Sequence, residues 1–219
     1  MNQLTLVRGF LFCSISMILV SGCGKDAMEP KKSSEAYIKG VALLCGDGVA
    51  KDEAAAVGLF REAADAGNAD AMLELGTCYM YGTGTEPSPA DAFGWIRKAA
   101  NAEHPKAKAY MGLFLLQGIG TKTAPAKAIQ LLQGEATAGN VHAMAILGSC
   151  YETGSGVPAD MAKAFEWHRK AAEQDNPISM YFVGRCYAKG SGGVEQNDDT
   201  AFKWYQKASV ASTIPASDA

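Results

Sequence analysis

Glycine recurs in this chain at a fixed interval of 36 residues, a spacing that restricts the possible folds more than any other feature of the sequence. Gly40, Gly76, Gly112, Gly148 and Gly184 form one series, and Gly46, Gly82, Gly118, Gly154 and Gly190 a second. Gly48, Gly84, Gly120, Gly156 and Gly192 form a third. Allowing one inserted residue near Gly193, Ala56, Ala92, Ala128, Ala164 and Ala201 also align, as do Leu59, Trp95, Leu131, Trp167 and Trp204. A repeat of this length is one supersecondary unit that cannot bury its apolar face alone, so copies have to stack.

Each unit shows helical apolar spacing in two stretches separated by a glycine-bearing loop. In the fourth, Ala143, Leu147, Cys150 and Tyr151 share one face of the first helix, while Ala164, Phe165, Trp167, Ala171 and Ala172 mark the second. Gly154 is placed to end the first helix in a left-handed conformation, with Pro158 and Asp160 opening the second. Gly148, in Leu147-Gly148-Ser149-Cys150, falls inside a helix, where glycine costs about 1 kcal/mol relative to alanine. Its recurrence in every unit predicts close helix packing there. The Trp95, Trp167 and Trp204 series is expected between helices in the core, so that truncating one to alanine costs about 3 to 5 kcal/mol.

The segments Ala71-Met-Leu-Glu-Leu-Gly-Thr-Cys-Tyr-Met-Tyr-Gly-Thr-Gly and Ala143-Met-Ala-Ile-Leu-Gly-Ser-Cys-Tyr-Glu-Thr-Gly-Ser-Gly-Val are followed by helices ending Arg97-Lys98-Ala99-Ala100 and Arg169-Lys170-Ala171-Ala172. They resemble the Sel1-like repeat, a tetratricopeptide relative with a longer loop between its helices. The resemblance spans roughly Ser34 to Ser209 and implies an all-α, right-handed α-solenoid of about five antiparallel helix pairs over residues 34–212. The repeats would run near 34–69, 70–105, 106–141, 142–177 and 178–212, with a tail at 213–219. The first repeat departs from the pattern at Lys39 and Cys45, and the third has Gly134-Glu135 in place of the basic pair.

Ahead of the repeats, Met1 to Arg8 carries one positive charge, Gly9 to Val20 is apolar, and Val20-Ser21-Gly22-Cys23 resembles the lipobox of bacterial lipoproteins. Twelve apolar residues rise only about 18 Å as a helix, short of a hydrocarbon core of about 30 Å. Residues 1–22 are therefore expected to be a signal peptide, Cys23 the acylated new N-terminus, and 23–33 a flexible tether. The resemblance places the protein in the bacterial cell envelope, with Gly24 after the cysteine suggesting the outer membrane, facing the periplasm.

A net charge of -3 gives no electrostatic term for binding nucleic acid. His104, His142 and His168 fall at unrelated repeat phases and are expected at the surface or in a groove, so neither a metal site nor a cofactor is expected. Glu62, Glu74 and Glu152 read as solvated or partner-facing charges. There is no Ser-x-x-Lys and no Gly-x-Ser-x-Gly, and no catalytic residue is nominated. The alternative of an envelope hydrolase acting on peptidoglycan or β-lactams, as described for cysteine-rich relatives, rests on the resemblance alone. Cys78, Cys150 and Cys186 share one phase, and equivalent positions in stacked helices stand about 8 to 10 Å apart, too far for a disulfide. They are expected as buried thiols, and pairing of Cys45 with Cys78 stays open.

Repeat arrays of this kind recognise protein or peptide ligands on a concave surface lined by first helices. Carried over by phase, the groove is nominated as Tyr37, Val41, Leu44, Leu73, Thr77, Met80, Leu113, Leu116, Glu152, Tyr181 and Arg185, with about a third expected to pack between repeats. The expected function is a membrane-anchored scaffold or adaptor. Its ligand would be an amphipathic helix or extended segment with apolar anchors in the N-terminal half and a charged group at Arg185.

Overall fold

The computed structural model describes residues 35–213. The expected signal peptide, the tether and the lipidated Cys23 lie outside the described residues, as does the tail beyond Thr213. Ten α-helices follow one another, and no strand occurs among the described residues. They are α1 (Glu35–Cys45), α2 (Glu53–Asp65), α3 (Ala69–Tyr81), α4 (Pro89–Asn101), α5 (Pro105–Gln117), α6 (Pro125–Thr137), α7 (Val141–Thr153), α8 (Met161–Ala172), α9 (Pro177–Lys189) and α10 (Asp198–Thr213). The all-α, helix-pair reading of the sequence holds.

The repeat encodes its own boundaries. First helices α3, α5, α7 and α9 open on Asn68, His104, Asn140 and Asn176, each accepting a backbone N–H of the first turn through its side chain. Second helices α2, α4 and α8 open on Asp52, Ser88 and Asp160 in the same way. Ahead of α6 the corresponding residue is Ala124, which has no side-chain acceptor to offer. The first helices close on Gly82, Gly118, Gly154 and Gly190, at φ of 74°, 71°, 74° and 62°, a left-handed cap that glycine adopts without penalty.

The described helices belong to two compact units, with the division at Leu131 and Leu132 inside α6. In the first unit α1 packs on α2, α2 on α3, α3 on α4 and α4 on α5. In the second, α7 packs on α8, α8 on α9 and α9 on α10.

The mid-helix glycines explain the pairing within a repeat. A Cβ added to Gly40 would lie 2.8 Å from the Phe60 ring, one on Gly76 2.9 Å from Ile96, one on Gly148 2.7 Å from His168 and one on Gly184 2.8 Å from Tyr205. One large side chain of the second helix thus fills the space where the first helix has no side chain, and the expected close approach is present in all four pairs. Phe60, Ile96, Leu132, His168 and Tyr205 occupy one register.

The tryptophans stand one residue earlier, about 100° around the helix. Trp95, Trp167 and Trp204 are accordingly half-buried, with the ammonium groups of Lys98, Lys170 and Lys207 lying 3.6, 4.4 and 4.8 Å from their ring centroids. The expectation that they form the core is corrected. For Trp95 and Trp167 the core residue is the C-terminal neighbour, Ile96 and His168, each 1% exposed, and the tryptophans wall the helix flank under a cation.

Cys78, Cys150 and Cys186 are buried free thiols, so Cys78 is not bonded to Cys45. Burial pushes the Cys78 and Cys150 thiols up to about 12, which leaves them as small apolar residues.

Candidate functional site

In the first unit the nominated residues divide by depth. Leu73 and Leu113 are closed off in the core, while Tyr37, Val41, Leu44, Thr77, Met80 and Leu116 are half-buried along α1, α3 and α5. The Thr77 hydroxyl donates to the Leu73 carbonyl at 2.9 Å. In the second unit Tyr181 is exposed and its ring lies 5.3 Å from that of Tyr205. Glu152 and Arg185 are bonded to each other, and the guanidinium also lies 4.9 Å from the Phe182 ring centroid. Arg185 is therefore not the open cation that the sequence suggested, because its charge is already met within the unit.

Glu74 departs furthest from expectation. It was read as solvated or partner-facing, yet burial raises its carboxyl pKa, opposed in part by the charge of Lys106. Among the described residues Glu74 makes no hydrogen bond or ion pair. Next to it in electrostatic reach is Tyr110, only 5% exposed, whose buried hydroxyl has no partner and whose pKa is pushed up chiefly by burial, with smaller contributions from Tyr81 and Glu74. An unpaired buried acceptor or donor costs roughly 1 to 3 kcal/mol. The signal for Glu74 was in the repeat, since its phase is that of Ile38, Tyr110, Ile146 and Phe182, otherwise apolar or aromatic.

His104 closes the same neighbourhood. Its Nδ1 accepts from the Ala107 N–H at 3.2 Å, so Nε2 carries the proton and donates to Asp70 at 3.0 Å. That hydrogen bond holds the Asp70 carboxyl below its ordinary range. Sequence reasoning puts His104 at the surface or in a groove and misses its role as a helix cap.

His168 is a second correction, being 1% exposed rather than at the surface or in a groove. Nδ1 lies 3.0 Å from the Ser179 hydroxyl, the ring stacks on Phe182 with centroids 4.0 Å apart, and Nε2 is buried without a partner. Burial holds the imidazole neutral, its pKa lowered to about 3, with the Arg185 charge acting in the same direction. His142 is half-buried in the first turn of α7. Among the described residues no cluster of three His, Cys, Asp or Glu side chains is placed to hold a metal ion.

The Sel1 repeat model matches residues 40–68, 69–104, 105–133, 141–176 and 177–209, together more than half of the chain. A Sel1 repeat protein from Oxalobacter formigenes is similar at 33% identity and a TM-score of 0.65, over 80% of this chain and 69% of that one. The protein c5321, a protective antigen of uropathogenic Escherichia coli displaying an SLR fold, is 34% identical with a TM-score of 0.62. That match covers 82% of this chain but only 39% of c5321, so this chain corresponds to less than half of it. The immunity protein Pa5087 from Pseudomonas aeruginosa, at 23% identity and a TM-score of 0.64 over 85% of this chain and 69% of its own, shares the fold. No curated protein matches the chain.

Proposed function

The chain belongs to the Sel1 repeat family, whose members generally mediate protein–protein interaction, and from that premise we propose that it is a binding scaffold whose ligand lies across the first helices α3 and α5. The carrying observation is Glu74, a half-buried carboxyl that makes no hydrogen bond or ion pair among the described residues, beside the buried Tyr110 hydroxyl, which has no partner. A basic side chain or N-terminal amine of a protein ligand supplies the missing donor, and Thr77, Met80 and Leu116 supply apolar contact beside it. The family fold is typically a non-enzymatic interaction scaffold, which agrees with a binding role. We extend the proposal to place. Val20-Ser21-Gly22-Cys23 supports a lipid anchor at Cys23 in the bacterial envelope.

The test is a photo-crosslinker placed at Thr77 in cells, with a control at Glu62 on α2, followed by mass spectrometry of the captured protein. The captured protein should then bind the Glu74→Gln variant at least fivefold more weakly than the wild type. Equal capture from both positions, or unchanged affinity, overturns the assignment. Loss of acyl labelling in Cys23→Ser tests the anchor separately, and unchanged labelling refutes it.

A further inference from the structure

The joints between repeats follow a template, and both ends of the described array present half of it. On one side of a joint stands the residue at the phase of Val57, Phe93, Phe165 and Phe202. Phe93 stacks on Phe114 of the following repeat at 6.4 Å, and Phe165 meets Tyr187 of the following repeat edge to face at 5.9 Å. Phe165 is consequently 7% exposed, whereas Phe202 on α10, in the same register, is 67% exposed.

On the other side of a joint stands the phase of Ile38 and Phe182. Phe182 stacks on His168 of the preceding repeat, while Ile38 on α1 is 60% exposed. The loop glycines give the same contrast. A Cβ on Gly84 would fall 2.1 Å from the Glu53 carbonyl oxygen, one on Gly120 1.9 Å from that of Pro89, and one on Gly192 2.8 Å from Phe165 Cβ, so each loop sits directly on the preceding repeat. Among the described residues, a Cβ on Gly48 would have nothing within 4 Å.

We propose that the two open half-joints are complementary and that a second copy of this chain docks its α1 onto α10 in head-to-tail register. The template fixes the contacts. Phe182 on His168 becomes Ile38 of one copy on Tyr205 of the other, since Tyr205 holds the phase of His168. Tyr187 on Phe165 becomes Leu43 on Phe202, and the Gly48 loop settles at the start of α10 as the Gly192 loop settles on α8. Ser179, which bonds His168 across its joint, has Glu35 as its counterpart, and the Glu35 carboxylate accepts a hydrogen bond from the Tyr205 hydroxyl. The contact is heterologous, so copies add in one direction and do not close as a symmetric dimer.

Sedimentation velocity on the full chain, in excess non-ionic detergent over a hundredfold concentration range, tests this. The wild type is expected to show a weight-average mass that rises with concentration, whereas Ile38→Glu and Phe202→Glu each stay monomeric, with unchanged helicity. Each variant keeps one intact end, so mixing the two at equal concentration restores a dimer that grows no further. A wild type that is monomeric throughout overturns the proposal. So does self-association of either variant alone, the mark of a symmetric contact, or a mixture that stays monomeric.

Discussion

Gly76 with Ile96 in the first unit and Gly148 with His168 in the second are the same packing solution built from different chemistry. In both, a helix gives up its side chain so that one residue of its partner can sit against bare backbone. Ile96 needs nothing from that site except contact. His168 also needs a hydrogen bond at each ring nitrogen, one donated and one accepted, and has only the one with Ser179, while Nε2 stays unpaired. The repeat register specifies size and depth of burial but is indifferent to ionisation, and this makes the second unit sensitive to acid at a position where the first is not.

The largest expected effect follows from that difference. His168 is neutral in the fold, with its pKa lowered to about 3, and takes up a proton near pH 6.5 once unfolded. Its contribution to stability is thus unchanged above pH 6.5 and is lost as the pH falls below it, at about 1.4 kcal/mol per pH unit, until the folded pKa is reached. Between pH 6.5 and 4.5 the loss should come to roughly 3 kcal/mol. Asp70, whose folded pKa is lowered, loses stability in the same direction at lower pH, so the difference between the wild type and His168→Phe isolates the histidine. Phenylalanine is the natural replacement because Phe60 occupies this register opposite Gly40. Urea melts at both pH values decide it, and identical acid losses in the two proteins would remove His168 from the account.

A smaller effect probes the space itself. Gly148→Ala should cost about 2 kcal/mol and Gly76→Ala about 1 kcal/mol, the clash being partly offset by the better helix propensity of alanine. The ordering is the informative part. The His168 ring is held by Ser179 and by its stack on Phe182, so it cannot turn away, whereas the Ile96 side chain has another rotamer to try. Denaturant midpoints in the reverse order would mean that the histidine is the more mobile of the two.

The tryptophans give a still smaller and more even pair. Trp95→Ala and Trp167→Ala should each cost about 1 to 2 kcal/mol, below the usual 3 to 5 for a fully buried aromatic, because each ring is only half-buried and lies under its lysine. A loss near 4 kcal/mol in either variant would restore the tryptophan to the core.

How far the sequence could be read depends on what the repeat makes periodic. Helix pairing, the left-handed caps at Gly82 and Gly154 and the close approach at Gly148 all recur, so comparison at a fixed offset exposes them. The tryptophan series also recurs, yet its depth was misjudged, because Trp167 and His168 are both regular and size alone favoured the tryptophan. Phase against Phe60, Ile96 and Leu132 identifies His168 as the core residue. Glu74 and the pairing of Arg185 with Glu152 break the period, and a residue that breaks the period is placed by its neighbours in space. For that reason the nominated first-helix face was legible as a register but not as a distribution of satisfied and unsatisfied charge.

The smallest expected effect concerns the residue just before the first-helix caps, where both units carry one departure from glycine. Gly67 and Gly139 sit there at φ of 91° and 95°, while Glu103 and Asp175 hold the same left-handed region at 63° and 59°. A left-handed residue with a Cβ costs about 1 to 2 kcal/mol, and aspartate tolerates the region better than glutamate because its short side chain bonds locally. Glycine in turn loses about 0.4 to 1 kcal/mol through the freedom it adds to the unfolded chain. Glu103→Gly should therefore stabilise the first unit by about 0.5 kcal/mol, and Asp175→Gly should leave the second nearly unchanged. The ion pair of Glu103 with Lys108 weighs little against this, since the Glu103 carboxylate is mostly in water. Thermal melts of the two variants side by side check the sign. Destabilisation by Glu103→Gly would mean that the pair with Lys108, rather than the backbone, keeps glutamate at this position.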